Sequence, residues 1–467
     1  MDYTKIKKVY IIGIEGGGTS SLACLYKNMG LAVSGSDEGD HFFADVLKTA
    51  NIPVFDKFSA TNLPSDADLI VYSSAYHQGS NAEMTAALAS GKTILSYAET
   101  IADLFKQKFG IAVCGSHGKT TTTAWLGYVL HQAGLEPSMI VGAKVLQLPA
   151  GLIGQSDYLI VEADEYQNKL RLYEPKITLL NNIDYDHPDY FLTREDYEQA
   201  FVDFLKKMPA EGVLIANNDD EAIKRLVPHN FVGRLITYSL TDDTTDYLAT
   251  DIRLDNVTQH FKVSQAGKLL GECTIGLLGQ HNVSNALAVI AVCLHLGLDW
   301  NTITQHLAAF LGTARRLQAL GEFNGVVVLD DFGHHPTEIK ATISAVRQLY
   351  PEKRLVVVFH PHTFSRTKAL FNDFLTCFTN VDELIILDIY ASARETANII
   401  SSAELVEKIK EQDSRIDVKY IPTLAGAEDY LRNNLKPDQV LLLLGAGNIF
   451  EIGYHLTNYD HRTKDTK

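Results

Sequence analysis

"IAVCGSHGKTTTTAW", residues 111–125, decides how the chain folds. Four apolar residues run into Gly115-Ser116-His117-Gly118-Lys119-Thr120, and an apolar stretch resumes at Ala124. This is the order strand, phosphate loop, helix. The usual loop of this kind, G-x-x-x-x-G-K-[ST], is two residues longer. Its physical roles survive the shortening. Glycines let backbone N–H groups turn inward around oxygens, and a helix N-terminus adds partial positive charge. Lys119 can bridge a β- and a γ-phosphate, and the hydroxyl of Thr120 or Thr121 can reach Mg²⁺.

Downstream, apolar runs end in polar clusters. "DYLIVEADEYQ" closes on Glu162, Asp164 and Glu165, and "ITLLNNIDYDHPDYF" on Asn182, Asp184, Asp186 and His187. Carboxylates at strand tips beside a phosphate loop are what a nucleotide-bound Mg²⁺ requires. "LLGQHNVSNALAV" opens a helix with Asn282 and Asn285. Spaced three apart, they share a helix face and suit a base, a phosphate or a cap. "GTARRLQALG" offers Arg315 and Arg316, and "VVVLDDFGHHPTEIKAT" crowds Asp330, Asp331, His334 and His335 at a strand end before Pro336 starts a helix. "VVVFHPHTFSRT" follows with His360, His362, Ser365 and Arg366. With no cysteine partner and an arginine close by, that set suits an anion or carboxylate better than zinc.

Upstream, "IIGIEGGGTSSLACLYKNMGLAVSGSD" is another strand–glycine turn–helix. Gly16-x-Gly18 is followed by Ser21 where a dinucleotide fingerprint has its third glycine, and Asp37 stands where a ribose-binding acid would be. A diphosphate sugar nucleotide would fit the same turn. Unbroken apolar runs alternating with helical stretches predict an α/β chain with mostly parallel sheets and ligands at the C-terminal strand ends. Three domains are expected, over residues 1–107, 108–313 and 314–467, the middle one carrying an antiparallel insertion near "TTDYLATDIRLDNVTQHFKVSQAGKLLGECTIGL".

The 467 residues are 46% hydrophobic and 21% charged, ordinary for a globular protein. A formal charge of −16 argues against nucleic acid or an anionic membrane as partner. Five scattered cysteines without metal spacing predict reduced, buried thiols in a cytoplasmic protein. No transmembrane helix is expected, and the oligomeric state is expected to be monomer or homodimer.

Taken in order, GSHGKTTTT, EADE, NNIDYDH, HNVSN, GTARR, DDFGHHPTE, FHPHTFSRT and GAGNI resemble the Mur ligases of peptidoglycan synthesis over essentially the whole chain, and among them the alanine-adding branch. The resemblance implies a Rossmann-like N-terminal domain for the UDP-sugar, a central P-loop ATPase domain and a Rossmann-like C-terminal domain that brings the amino acid. It implies ATP and Mg²⁺, with UDP-N-acetylmuramate and L-alanine as substrates, joined through an acyl phosphate. Carried over by motif, Gly115, Ser116, His117, Gly118, Lys119, Thr120, Thr121, Asn282, Asn285, Arg316 and Asp331 bind ATP. Thr120, Glu162 and His187 hold the metal, and Lys119, Glu162, His187, Arg316 and Asp331 form the catalytic set. Gly16, Gly18, Ser20, Asp37 and Ser74 contact the UDP-sugar, while His334, His335, His362 and Arg366 orient the amino acid and the sugar carboxylate.

The chain also departs from the family pattern. Glu15 and Thr19 replace a glycine and a methionine in the first loop, Tyr166-Gln167 follows EADE where Ser-Asp is usual, and His360 and Thr363 replace glutamine and arginine. Tyr166 and the Asn-Asn pair before Ile183 resemble the ligase that recycles murein tripeptide onto the same sugar nucleotide. That ligase is the runner-up, and a nicotinamide-dependent oxidoreductase built on the first glycine turn is the alternative from another class.

Overall fold

Three parallel-rich sheets follow one another along the chain. The computed structural model describes residues 1–39, 42–76, 79, 81–148, 152–391 and 400–459. The first sheet is formed by β1 (Lys8–Ile12), β2 (Ala32–Ser36), β3 (Val54–Phe55), β4 (Leu69–Tyr72) and β5 (Thr93–Ser96), in the order β3-β2-β1-β4-β5 and all parallel.

The central sheet contains β6 (Phe109–Cys114), β7 (Ser138–Ile140), β8 (Tyr158–Glu162), β9 (Ile177–Leu180), β10 (Val213–Asn217), β11 (Arg234–Ser239), β12 (Tyr247–Asp255), β13 (Thr258–Gln265) and β14 (Lys268–Ile275). Its order is β14-β13-β12-β11-β10-β9-β6-β8-β7. β12 to β14 form the antiparallel ribbon expected from the alternating pattern there. The third sheet has β15 (Gln318–Phe323), β16 (Val326–Asp331), β17 (Arg354–Phe359), β18 (Glu383–Ile386), β19 (Asp417–Tyr420) and β20 (Gln439–Leu444), in the order β15-β16-β20-β17-β18-β19. Only β15 of the described strands in that sheet runs antiparallel.

The unbroken apolar runs explain this pattern. β6, β17 and β20 are buried along nearly their whole length, because helices cover both faces of a parallel sheet. One apolar core passes from the N-terminal lobe into the central lobe, where Phe105 meets Tyr173 edge-on at 5.6 Å. The C-terminal lobe builds its own cores on the two faces of its sheet. It meets the central lobe through mostly polar contacts: Thr337 Oγ1 donates to Asp184 at 2.7 Å, Arg366 Nε to Asp186 at 2.7 Å, and His335 Nε2 lies 3.2 Å from the Tyr185 carbonyl. A polar interface of this kind suits lobes that open and close. All five cysteines are free and buried. Among the described residues, no helix is long and apolar enough to cross a membrane.

Candidate active site

β6 lies between β9 and β8, so the strands beside it lead away in opposite directions and leave a crevice at its C-terminal end. The Gly115–Gly118 turn fills that crevice. Gly115 has φ +124° and Gly118 +77°, and a Cβ at either would sit 2.8 Å from an oxygen, of Asn182 and Asn285 respectively. Only glycine fits both the angle and the space. Asn182 also takes two of the loop's donors: its carbonyl accepts Ser116 N–H at 3.2 Å and its side-chain oxygen accepts His117 N–H at 2.8 Å. Thr122 N–H is the first to bond back into the helix, to Gly118 O at 3.0 Å. The four N–H groups from Gly118 to Thr121 have no acceptor within the helix, as at any helix start.

Lys119 folds over the loop. Its Nζ donates to the carbonyls of Gly115 (2.5 Å) and Ser116 (3.0 Å) and to Glu165 Oε2 (2.8 Å). Burial works against the ammonium, but Glu165 and Asp164 outweigh it and hold its pKa above the ordinary lysine value. Glu165 is fully buried, accepts Tyr197 OH at 3.1 Å and faces His187 Nε2 at 3.3 Å. Desolvation opposes its charge, and Lys119 and His187 overcome that, so it remains a carboxylate. Thr120 Oγ1 donates to Glu162 Oε1 at 2.6 Å, and Gly142 N–H to Glu162 Oε2 at 2.6 Å.

The three residues expected to hold the metal therefore fall into two neighbouring groups. Thr120 pairs with Glu162, while His187 clusters with Asp164 and Glu165 within ligand range of one another. Thr120, Glu162, Asp164 and His187 all line one cavity. A hydroxyl and carboxylates are hard oxygen donors of the kind Mg²⁺ takes, and they stand beside the phosphate loop.

The C-terminal lobe closes the site. The two adjacent arginines part company, because Arg315 has a left-handed backbone (φ +62°) that sends the side chains in different directions. Arg315 turns inward to Asp330 (3.3 Å) and the Gly445 carbonyl (2.6 Å). Arg316 reaches across the lobes, its guanidinium 3.4 Å from Thr120 Oγ1. Asp331 accepts Leu317 N–H at 2.7 Å and Gly333 N–H at 2.8 Å, clamping the turn that aims Arg316. Burial raises its pKa, with Arg316 pulling the other way.

Of the four residues expected around the amino acid, His334 lines the cavity. Burial and the nearby Arg366 keep its imidazole neutral, with a pKa of about 4. Arg366 stands behind, bonded to Asp186 at 2.7 Å and to His362 Nδ1 at 3.0 Å. His335 accepts Thr337 N–H and caps the Pro336–Leu349 helix, so its place is at the lobe interface.

Two cavities meet at the loop. One of about 1040 Å³ is lined by Asn282, Asn285, His281, Asn181, Thr121 and Asp331, among others. Asn282 and Asn285 lie side by side as their spacing predicts, 3.1 Å apart. The other, of about 490 Å³, contains Lys119, Thr120, Glu162, His187 and His334 and reaches Gly18 of the N-terminal lobe. Gly118, Arg316 and Glu338 border both cavities.

The first glycine turn is built differently. Gly16 precedes the Gly17–Asn28 helix, and a Cβ on Gly18 would lie 2.6 Å from Tyr97 OH. Asp37 is buried and accepts Glu15 N–H at 2.8 Å and Tyr76 OH at 2.7 Å. Thr19 bonds to Gly13 O (2.7 Å) and Ser20 to Gly17 O (3.1 Å), while Ser74 lies in the turn after β4.

Glu338 was missed by the sequence reading. It accepts backbone N–H groups of His334 (3.1 Å) and His335 (3.3 Å) and faces His117 Nδ1 at 3.3 Å. The signal was present: a cap followed by Pro336 and then an acid is a capping box. His117 lies between Glu338 and Asp184 (3.0 Å). Burial lowers its pKa, but the two carboxylates prevail and bring it to about 9.

Three family models match in succession: "Mur ligase family, catalytic domain" over residues 8–109, "Mur ligase middle domain" over 113–293, and "Mur ligase, glutamate ligase domain" over 315–447. The UDP-N-acetylmuramate–L-alanine ligase of Solidesulfovibrio magneticus is 40% identical over 453 residues, covering 97% of this chain and 98% of the relative. That of Trichlorobacter lovleyi is 38% identical with the same coverage. Among solved structures, the UDP-N-acetylmuramate–alanine ligase of Thermotoga maritima shares the fold with a TM-score of 0.82 at 24% identity, over 97% of this chain and 98% of that one. A murein peptide ligase of Psychrobacter arcticus follows at 0.73 and 23%, with the same coverage. With such relatives matching it nearly end to end, and with the loop, acids and arginine drawn into one cavity, the chain belongs to the Mur ligase family.

Proposed function

We propose that this protein joins L-alanine to the lactyl carboxylate of UDP-N-acetylmuramate at the expense of ATP, through an acyl phosphate, in the cytoplasm. The observation that carries this is the smaller cavity, where a phosphate-loop lysine, an acidic pair and an arginine from another lobe converge. The relatives named for the same reaction support it over the tripeptide ligase and over hydride transfer.

The chemistry follows from charge. A carboxylate is a poor electrophile because oxide is a poor leaving group, so phosphorylation must supply one. ATP and the carboxylate are both anions, and cations must hold them together. Lys119 and the N–H groups from Gly118 to Thr121 bind the phosphates, and Arg316 meets the transferring group from the opposite side. Asn282 and Asn285 hold the nucleoside end. Mg²⁺ bound at Thr120 and Glu162, with His187 close by, would offset the remaining negative charge. The carboxylate oxygen takes the γ-phosphoryl group and ADP leaves. The amine of L-alanine then attacks the acyl carbon, its nitrogen gives up a proton, and the tetrahedral intermediate expels phosphate, which leaves with the electron pair of the broken carbon–oxygen bond. His334, neutral and lining the cavity, would meet the incoming amino acid; His362 packs edge-on against it at 5.7 Å and is itself held by Arg366.

The N-terminal turn holds the diphosphate of the sugar nucleotide. There Gly18 leaves room for Tyr97 to pack on the turn, and Asp37 fixes the turn by bonding its backbone. Residues 1–107, 108–313 and 314–467 act as the sugar-nucleotide, ATP and amino-acid domains. A panel of amino acids and peptides, assayed for ADP formation with UDP-N-acetylmuramate, tests the assignment. L-alanine should be the best acceptor. Preference for the murein tripeptide would replace this reading with the recycling one.

A further inference from the structure

An aromatic pair joins the N-terminal lobe to the C-terminal lobe over the smaller cavity. Phe42 meets Phe450 edge-on, with ring centres 5.9 Å apart, and the Arg315 guanidinium lies 4.6 Å from the Phe450 ring. Phe42 also carries Lys144 of the central lobe: the ammonium sits 4.4 Å from its ring centre and 2.8 Å from Asp45 Oδ2. Lys144 has a second attachment. Its carbonyl accepts Ala314 N–H at 2.9 Å, and the adjoining Val145 bridges Thr313. Those residues belong to the connection into the C-terminal lobe, where Gly312 (φ +97°) and Arg315 (φ +62°) turn the chain. Phe42 thus touches the far lobe directly and its hinge through Lys144.

The cavity below mixes aromatic and charged walls. Phe42, Phe43 and Phe332 line it together with Lys119, Glu162 and Arg316, whose guanidinium lies 5.0 Å from the Phe332 ring centre. Phe43 in turn packs on the first glycine turn, where a Cβ on Gly17 would lie 3.0 Å from its ring.

We propose that Phe42 is a positioning residue: it latches the sugar-nucleotide lobe to the C-terminal lobe and its hinge, holding the apolar roof shut over the activated carboxylate. This rests on the acyl-phosphate reading above. With the roof open, water competes with the amine. Its oxygen bonds to the acyl carbon, the bond to the phosphate oxygen breaks, phosphate leaves with the electron pair, and the water's proton is lost as the free carboxylate returns. The net reaction is then ATP hydrolysis without an amide.

The test is the ratio of phosphate released to amide formed, measured on the full-length enzyme with UDP-N-acetylmuramate and L-alanine. The wild type should release one phosphate per amide. In Phe42→Ala the ratio should rise at least about twofold and amide turnover fall about tenfold, as expected for loss of an aromatic and a cation–π contact at a closure point. The KM for ATP should stay within about twofold, since the nucleotide cavity is untouched. Phe42→Leu should give an intermediate ratio should the alanine variant fold poorly, and Phe42→Tyr should restore coupling. Lys144→Met should uncouple in the same direction. A ratio of one in both Phe42→Ala and Phe42→Leu, whatever their melting temperatures, overturns the latch and leaves the ligase reading standing. A wild type that forms no amide with any acceptor overturns both.

Discussion

The chain contains two strand–glycine turn–helix units, after β1 and after β6, and they differ in what faces the turn. After β6 the neighbouring strands deliver Glu162, Glu165 and the asparagines, and the lysine on the helix is surrounded by acceptors. After β1 the turn is met by Tyr97, Phe43 and a buried Asp37 that bonds the turn's own backbone. The first arrangement can move a phosphoryl group, because cation and acids converge where charge shifts. The second, braced by Asp37 on its own backbone, is the seat proposed for the diphosphate. The same backbone motif therefore binds or reacts according to its partners from other strands.

Breaking the reactive turn should have the largest effect. Lys119→Ala should lower turnover by at least about a thousandfold, as removal of a preorganised cation does. UDP-sugar affinity, read by calorimetry, should change little because that turn lies in another lobe. The adjacent arginines sharpen the contrast next. Arg316→Ala should reduce turnover about a hundredfold with an almost unchanged melting temperature, since its side chain reaches across to Thr120. Arg315→Ala strands a buried Asp330, whose pKa burial lifts to about 6 despite Arg315, and should cost about 3 kcal/mol of stability by denaturant titration.

A paired alanine scan compares the turns directly. Gly118→Ala must hold a left-handed backbone against Asn285 and should raise the KM for ATP about tenfold. Gly18→Ala meets the Tyr97 hydroxyl and should instead raise the KM for the UDP-sugar.

The smallest effect concerns pH. His117 titrates near 9 when folded and near 6.5 when unfolded. Its contribution is fully present below about pH 6.5 and is lost as pH rises through about 9. His117→Asn should therefore flatten the decline of melting temperature between about pH 7 and pH 9.5, by a few degrees at most.

The sequence reveals local geometry better than direction. The phosphate loop was legible because Gly115, Gly118 and Lys119 act through backbone angles and a helix end, which composition encodes. The parallel strands were legible because burial on both faces demands unbroken apolar runs. Arg315 and Arg316 could not be told apart: one positive φ accompanies their parting, Arg316 to Thr120 across the lobes and Arg315 to Asp330 within its own lobe. Nor could His334 and His335, one lining the cavity and the other capping a helix. Glu165 was legible as a strand-tip acid and Glu338 could have been found as the acid of a capping box, but their partners lie far along the chain, 46 residues away at Lys119 and 221 at His117, so local spacing could not say what they meet.

The most direct test of the phosphoryl transfer follows the oxygen. UDP-N-acetylmuramate carrying heavy oxygen in its lactyl carboxylate is turned over with ATP and L-alanine, and the released phosphate is weighed by mass spectrometry. If the carboxylate is phosphorylated by ATP, one heavy oxygen must appear in each phosphate. Amide formation with unlabelled phosphate would contradict the account.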